Sequence, residues 1–247
     1  MENMNVHVLY PGFSGKFCDH FYLGWGTFAL IQYDGRNIML DTGNGGARQA
    51  IATSLLTPYG ITAADVDYVL LTHLHWDHAS NVDMFPNATF VLSRKEWDSA
   101  NSVHEKDPHL AEGCQGPLRV FNKILLNEDG QEILPNLSAL MTPGHTPGSV
   151  SYVLHVGGKK WVLAGDAAKN RGELRTGEIL NCANPEETTA SLQKIIKTAD
   201  RVLPGHDGWI SIVAGEIIPE GKHEVYITYG QGLSVNGGQK VITISLD

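Results

Sequence analysis

Short apolar runs, separated by polar turns that contain glycine or proline, recur along the first half of the chain. Their spacing predicts strands at 6–10, 27–32 and 37–40, a helix at 46–58, strands at 66–71 and 88–92, and a helix at 94–103. The letters Y-D-G-R at 33–36 contain the Asp-Gly pair that is typical of a tight hairpin turn. They predict that the second and third strands form a hairpin.

The second half of the chain repeats this order of elements. Strands are predicted near 119–125, 137–141, 149–156 and 160–164, followed by a helix at 185–199 and a strand at 201–203. Pro185 fits the first turn of that helix, where its missing N–H would have no partner anyway. Strands followed by helices, twice over, predict an α/β fold in which two sheets pack face to face with helices outside.

Three histidines and one aspartate stand within six positions after the apolar run at 69–71, in the segment V-L-L-T-H-L-H-W-D-H-A-S-N. His73 and His75 point to the same side of an extended chain, because side chains alternate there with a period of two. If the chain then turns, Asp77 and His78 face a second position beside the first. A loop at a strand end is a common place for a functional site, so the segment predicts part of a metal site.

Three further candidate ligands lie downstream, each beside a glycine and near the end of an apolar run. They are His145 in T-P-G-H-T-P-G-S, Asp166 in L-A-G-D-A and His206 in L-P-G-H-D. Each alone is better explained as a turn residue. A zinc ion needs about four ligands, however, and the histidine-rich segment supplies only two for each of its two positions. Together they predict a complete site. The other histidines are predicted to be ordinary surface or core residues, namely His7, His20, His104, His109, His155 and His223.

These motifs resemble those of the metallo-beta-lactamase fold superfamily of hydrolases. The resemblance rests on T-H-L-H-W-D-H at 72–78, P-G-H at 143–145 and 204–206, G-D at 165–166 and L-D-T-G at 40–43, and it extends from about 6 to about 208. It implies an α/β fold of one domain, 1–247, a four-layer αβ/βα sandwich with a C-terminal β extension at about 222–247. It also implies two metal ions, one held by His73, His75 and His145, the other by Asp77, His78 and His206, with Asp166 as the bridge.

Such a site implies a hydrolase that needs no serine or cysteine nucleophile. Two divalent ions would hold a hydroxide between them, because coordination lowers the pKa of water from about 16 to about 7. Asp77 is the expected proton carrier to the leaving group. Zinc is the expected metal, with iron, manganese and cobalt as alternatives that the same ligands serve. Asp41 is predicted to orient the metal loop, since an aspartic protease would need two facing carboxylates and the chain has one D-T-G.

Composition narrows the choice of partners. Of the 247 residues 42% are apolar, enough for a large core, and no apolar run approaches the roughly 18 residues of a membrane span. The chain shows no signal-like leader, so a cytoplasmic location without membrane association is expected. A net charge of −9 makes nucleic acid an unlikely partner. The three cysteines form no C-x-x-C pair, and the sequence leaves the oligomeric state open.

The expected substrate is a small carbonyl ester, first a lactone, because F-P-N-A-T-F-V-L-S-R-K-E-W at 85–97 resembles the acyl-homoserine lactonases. Those enzymes have tyrosine where this chain has Lys169, which is therefore either a substrate-binding residue or an exposed lysine. A glyoxalase II-like thioester hydrolase is the second hypothesis, although E-V-Y-I-T-Y and K-V-I-T-I-S-L near the C-terminus predict strands, not a glutathione-binding helical region. The remaining hypotheses are a mononuclear iron oxygenase, a protein with purely structural metals, and a nuclease with a basic patch at Lys159, Lys160, Lys169, Arg171 and Arg175.

Overall fold

The computed structural model describes residues 4–18, 21–102, 107–229 and 240–245. Its strands are β1 (Asn5–Tyr10), β2 (Lys16–Cys18), β3 (Phe21–Tyr22), β4 (Phe28–Tyr33), β5 (Arg36–Leu40), β6 (Tyr68–Leu70), β7 (Thr89–Ser93), β8 (Lys123–Leu126), β9 (Glu132–Leu134), β10 (Leu137–Met141), β11 (Val150–Val156), β12 (Lys159–Gly165), β13 (Arg201–Pro204), β14 (Ile210–Val213), β15 (Glu216–Pro219), β16 (Glu224–Tyr229) and β17 (Lys240–Ser245). Its α-helices are α1 (Arg48–Ala50), α2 (Trp76–Ala79), α3 (Arg94–Ala100), α4 (Gln115–Val120), α5 (Arg171–Thr176) and α6 (Pro185–Thr198).

Most strands belong to two large sheets. The first has the order β1-β4-β5-β6-β7-β8, and the second has the order β15-β14-β13-β12-β11-β10-β9. Strands β5 to β8 run parallel in the first sheet, and β12 and β13 run parallel in the second. Parallel neighbours end at the same edge of a sheet, so the loops that follow them gather there.

Alternating side chains divide the core into three apolar layers, because neighbours along a strand point to opposite faces of the sheet. Ile31 packs between the two sheets, where it meets residues such as Tyr152. The neighbouring Leu30 faces outward and packs in a cluster with Leu56 from the helical turns after β5. On the outer side of the second sheet, Leu192 of α6 packs in a third cluster. The order helix, sheet, sheet, helix confirms the predicted four-layer αβ/βα sandwich.

The predicted hairpin at Y-D-G-R is confirmed. Tyr33 and Arg36 pair across it, and the residues between them, Asp34 and Gly35, have φ values of 50° and 70°. Two residues with positive φ give the turn a twist that matches the two strands. The predicted helix at 46–58 forms as successive short turns, which are 3₁₀ at Gly45–Ala47, α in α1, π at Ile51–Leu55 and 3₁₀ at Thr57–Tyr59.

The prediction of a strand at 119–125 is wrong over its first residues. The helix α4 ends at Val120, and β8 begins only at Lys123. Cys114 and Leu118 are four residues apart and both are fully buried in the cluster outside the first sheet, so the helical period decides the local structure. The sequence analysis also missed α2 and α5 and the short strands β2, β3, β9, β14 and β15.

The two strands predicted near the C-terminus are confirmed as β16 and β17, which form a separate antiparallel pair. The residues between them, 230–239, lie outside the described residues. Within the described part of the chain, no helix combines the length and the apolar character that crossing a membrane requires.

Candidate metal centre

The ends of the strands bring the candidate residues to one edge of the sandwich. Gly165 at the end of β12 pairs with Pro204 at the end of β13, so Asp166 and His206 leave the second sheet side by side. A Cβ atom at Gly205 would collide with Oδ1 of Asp166, so this close approach requires glycine.

The first sheet supplies the histidine-rich loop after β6. His73 and His75 lie in the extended part of this loop, and Asp77 and His78 lie on the single turn of α2 that follows. The chain therefore turns between the first pair of candidate ligands and the second pair. The carbonyl of Thr72, at the start of the loop, accepts a hydrogen bond of 2.9 Å from the N–H of Val150, which joins this loop to the second sheet.

All seven predicted ligand residues come together, and none is more than 9% exposed. Three groups of side chains have ligand atoms that all lie within 4.8 Å of one another, and one of them, His73 with His78 and Asp166, shares a histidine with each of the other two. The first group comprises His73, His75 and His145, and the second group comprises Asp77, His78 and His206. The geometry thus reproduces the two sets of residues that the resemblance implied. Their role as metal ligands stays a prediction.

Asp166 lies between the two groups. Its Oδ2 atom is 3.2 Å from Nε2 of His145 in the first group and 3.2 Å from Nε2 of His206 in the second. Its Oδ1 atom is 3.1 Å from Nε2 of His78. One carboxylate therefore contacts the first group through Oδ2 and the second group through both oxygen atoms, which is the position that a bridging ligand requires.

Each histidine of the two groups uses its outer ring nitrogen in a hydrogen bond. The pairs are His73 Nδ1 with Thr72 Oγ1 at 3.0 Å, His75 Nε2 with Asp107 Oδ2 at 2.8 Å, His145 Nδ1 with the Asn181 carbonyl at 3.1 Å, His78 Nδ1 with Asp41 Oδ2 at 2.8 Å, and His206 Nδ1 with the Trp25 carbonyl at 2.9 Å. An outer N–H that donates in this way leaves the inner nitrogen with its lone pair, as in metal-binding histidines.

Asp41 performs the orienting role predicted for it. Its Oδ1 atom accepts the N–H of Thr72 at 2.8 Å, and its Oδ2 atom accepts both the hydroxyl of Thr72 and Nδ1 of His78, each at 2.8 Å. The Thr72 hydroxyl in turn accepts the outer N–H of His73. One buried carboxylate therefore orients a histidine of each group, one directly and one through a threonine.

The inner atoms of the site fit divalent cations. Nε2 of His73, Nε2 of His78 and Oδ1 of Asp166 are buried and form no hydrogen bond within the described part of the chain. Buried polar atoms are otherwise almost always hydrogen-bonded, so three unpartnered polar atoms this close together indicate a missing partner. Imidazole and carboxylate groups are suitable ligands for zinc, iron and manganese.

The two groups differ in their electrostatics. Burial and neighbouring imidazoles lower the pKa of His73 well below its usual value, and burial also lowers that of His145. Burial opposes protonation of His78 as well, but nearby carboxylates, above all that of Asp77, raise its pKa well above the usual value. The carboxylates raise the pKa of His206 in the same way. The lowered pKa values disfavour protonation of His73 and His145 in the first group, whereas a cation competes with protons at His78 and His206 in the second.

A cleft with a volume of about 690 Å³ opens over the two groups. Its lining includes residues of both groups, Asp166 and Lys169, together with apolar or aromatic side chains such as Tyr22, Trp76 and Leu110. Lys169 is only 7% exposed, so its interpretation as an exposed lysine is wrong. Its ammonium group donates to the Leu180 carbonyl at 2.6 Å.

Ion pairs neutralise part of the positive charge of the suggested basic patch. The ammonium group of Lys169 lies 3.4 Å from the carboxylate of Glu173. Arg171 forms two side-chain hydrogen bonds of 2.8 Å with the buried carboxylate of Asp207. Two of the five patch residues therefore contact carboxylates, which weakens the argument for a site that binds a nucleic-acid backbone.

Some residues that orient the site could not be found from the sequence. Asp107 follows His75 by 32 positions in a polar loop without a recognisable motif. Asn181 and Trp25 contribute main-chain carbonyls, which carry no side-chain signal. Glu96 is buried and joins the two loops of the first group by accepting the N–H of Leu74 and the hydroxyl of Thr146. Its burial in the structure, and no motif in the sequence, identifies Glu96 as a residue that supports the site.

The sandwich fold and the cluster of histidines and aspartates at its edge define a class of metal-dependent hydrolases. The chain belongs to the metallo-beta-lactamase superfamily, because the sequence model of that family matches residues 26–206. Membership in this superfamily implies that the protein binds divalent metal.

Individual relatives agree with this assignment. The chain is 29% identical over 209 residues to metallo-beta-lactamase domain-containing protein 1 of Xenopus laevis, covering 82% of this chain and 79% of the relative. It is 29% identical over 164 residues to an N-acyl homoserine lactonase of Agrobacterium fabrum, covering 60% of each, and so spans less than two thirds of that enzyme. A solved dizinc quorum-quenching lactonase has the same fold, with a TM-score of 0.64, 21% identity and coverage of 81% of both chains.

Proposed function

We propose that this protein is a dinuclear metal-dependent hydrolase of a small carbonyl ester, with a lactone as its first candidate substrate. The observation that carries the proposal is the pair of ligand groups joined by Asp166 at the base of a cleft. Seven ligand residues exceed what one tetrahedral ion can use. Zinc is the ion we expect, because a set of histidine and carboxylate ligands with room for a water molecule is typical of catalytic zinc.

Two divalent ions in this site would supply an activated water molecule and would polarise the carbonyl group of the substrate. Asp77 lines the cleft, and its Oδ2 atom lies 3.5 Å from Nε2 of His206. We assign Asp77 the transfer of a proton to the leaving oxygen. The outer hydrogen bonds of the histidines hold each ring in one tautomer. Lys169 lies beside the cleft, where its ammonium group can donate to the carbonyl oxygen of the substrate.

The relatives and the C-terminal strands favour a lactone over a thioester. The Agrobacterium fabrum relative is named as an N-acyl homoserine lactonase. The described residues after β15 form the strand pair β16 and β17, whereas glyoxalase II enzymes grip glutathione with a helical region. A thioester remains the second candidate substrate and is one arm of the test.

The test combines metal analysis with a substrate panel. Protein purified without added metal is analysed for metal content, and its hydrolysis of N-hexanoyl homoserine lactone, of an acyl-glutathione thioester and of single-stranded DNA is measured before and after chelation. We expect about two ions per chain, hydrolysis of the lactone, and loss of this activity on chelation.

Each other result contradicts a defined part of the proposal. One ion per chain with full hydrolysis would contradict the dinuclear mechanism. A preference for the thioester would replace the lactone as the substrate. One iron per chain with consumption of oxygen would indicate an oxygenase, and cleavage of DNA would indicate a nuclease.

A further inference from the structure

Lys169 lies in a buried setting that neutralises its charge. The side chains of Lys169 and Glu173 are only 9% and 7% exposed, and the ammonium nitrogen lies 3.4 Å from Oε1 of Glu173. An unpaired charge at this depth would be costly, so the carboxylate is its natural counter-ion. Lys169 lines the cleft, whereas Glu173 is not part of the cleft lining and lies behind it.

The main chain fixes the position of this ion pair. The N–H of Lys169 donates to Oε2 of Glu173 at 2.8 Å, which holds the carboxylate in place. The carbonyl of Lys169 accepts the N–H of His206 at 2.7 Å, which ties the lysine to the second ligand group. The main chain of Lys169 is therefore fixed both to its counter-ion and to a residue of the second ligand group.

Two main-chain carbonyls, those of residues 180 and 181, also hold the site in place. The carbonyl of Leu180 accepts from the ammonium group of Lys169 at 2.6 Å, and the next carbonyl, that of Asn181, accepts from Nδ1 of His145 at 3.1 Å. Asn181 has a φ of 53°, a left-handed conformation that asparagine tolerates better than most residues. Two successive carbonyls thus hold Lys169 and a histidine of the first group.

These contacts leave one donor for the substrate. A lysine ammonium group has three N–H donors, and its acceptors within the described residues are the Leu180 carbonyl and Glu173. The third donor is available to a substrate in the cleft that Lys169 lines. Because the positive charge is already balanced, this donor suits an uncharged carbonyl oxygen better than a carboxylate, which needs a net positive partner to compensate for its desolvation.

We propose that Glu173 is a positioning residue that balances the charge of Lys169 and aims its ammonium group, so that the cleft selects substrates without a carboxylate beside the bond to be cleaved. This inference rests on the proposed function and names its substrate class.

The ion pair between Lys169 and Glu173 also explains how the product leaves the cleft. Hydrolysis of a lactone adds water across the bond between the carbonyl carbon and the ring oxygen and forms a hydroxyl, a carboxylate and a proton. A lysine without its counter-ion would retain that carboxylate.

The experiment compares two ligands of the same skeleton that differ in one end group. These are N-hexanoyl homoserine, a carboxylate, and N-hexanoyl homoserine amide, which is uncharged. Calorimetry on zinc-loaded protein near neutral pH gives the dissociation constant of each, and the ratio of the two constants is compared between variants. Zinc can bind either ligand, but its contribution is common to all variants and cancels from the comparison.

We expect Glu173→Gln to tighten binding of the acid relative to the amide by about 10-fold, because it leaves the ammonium group without a counter-ion. Lys169→Met should change this ratio by less than about 2-fold, and the double variant should match Lys169→Met. Glu178→Gln, a change to an exposed glutamate just after α5, should have no effect. Lys169→Met should also lower the turnover of the neutral lactone by about 10-fold or more.

Two results would overturn the inference. One is an unchanged ratio in Glu173→Gln, and the other is a selective loss of acid binding in Lys169→Met, which would make Lys169 an anion-binding residue. If circular dichroism shows that Glu173→Gln does not fold, Lys169→Met alone decides between these interpretations. If the parent hydrolyses no ester at all, the proposed function fails, but the binding ratios still decide the role of Glu173.

Discussion

The two ligand groups of the candidate centre are built differently, although Asp166 touches both. The first group consists of three imidazoles, and their outer partners are the Thr72 hydroxyl, the Asp107 carboxylate and the Asn181 carbonyl. The second group contains a carboxylate, that of Asp77, and Asp41 and the Trp25 carbonyl orient its histidines. Burial lowers the pKa values of His73 and His145 in the first group, whereas carboxylates raise those of His78 and His206 in the second.

This difference predicts a division of labour. Imidazoles whose pKa is lowered, as at His73 and His145, offer their lone pairs to a metal without competition from protons. The first group should therefore retain its ion most firmly, provided that its outer partners hold the rings. The second group brings a carboxylate to the cleft, where it can handle a proton. Changes in the second group should therefore reduce turnover, and changes around the first group should reduce metal affinity.

The largest effect is expected for Asp77→Asn. The substitution keeps the size of the side chain but removes the charge and the ability to carry a proton. Turnover of the metal-loaded variant should fall by more than about 100-fold, the scale of lost acid–base catalysis. The ion of the first group should stay bound, which metal analysis after dialysis will show.

Asp83→Asn is the matched control, because Asp83 follows closely along the chain but pairs with Arg48 at the surface. It should retain the turnover of the parent. If Asp77→Asn also retained full turnover while loaded with metal, Asp77 would have no part in the chemistry, and the contrast between the two groups would reduce to their charges.

The sequence was informative about the site where its signals were local. The predicted ligands stand in short motifs at strand ends, and Asp41 stands in one as well, so their convergence followed from the order of strands and turns. Asp107 and Asn181 are 32 and 36 positions away from the histidines that they orient. Such contacts arise only when the loops pack together, and neither residue type nor spacing announces them.

The same contrast applies to the fold. The hairpin at Y-D-G-R and the long helix α6 carry their own start or turn signals, and both were predicted. At α4 an apolar run suggested a strand, but packing of Cys114 and Leu118 against the first sheet favours a helix. The burial of Lys169 was likewise hidden, since its counter-ion and its carbonyl partner both come from residues after β12 that carried no predicted element.

An intermediate effect is expected for Asp107→Asn, which weakens the outer support of the first group. The carboxylate of Asp107 accepts from Nε2 of His75, and this contact lowers the pKa of Asp107 to about 2. Loss of such an outer carboxylate typically weakens metal binding by about 10- to 100-fold. Competition with a chromophoric chelator will measure the affinity for zinc, with Asp98→Asn on the exposed side of α3 as the control. Equal affinities in the two variants would show that Asp107 does not support the first group.

The smallest effect is expected for Thr72→Val, which removes only the hydroxyl between His73 and Asp41. Valine has nearly the same shape, and the main-chain contacts of residue 72 with Asp41 and Val150 can persist. The outer N–H of His73 and one lone pair of Asp41 then lose a buried partner, which should lower the free energy of unfolding by about 1–3 kcal/mol. Urea denaturation of the metal-free protein measures this change.

Thr198→Val separates a general loss of one hydrogen bond from a loss of orientation at the site. The Thr198 hydroxyl donates to the Lys194 carbonyl within α6, away from the ligand groups, so this variant should lose some stability but none of its affinity for zinc. Thr72→Val should lose both, because His73 can then rotate about its Cβ–Cγ bond and its inner nitrogen is no longer fixed. A Thr72→Val protein that binds zinc as tightly as Thr198→Val would show that packing alone orients His73, and that Asp41 acts only on the second group.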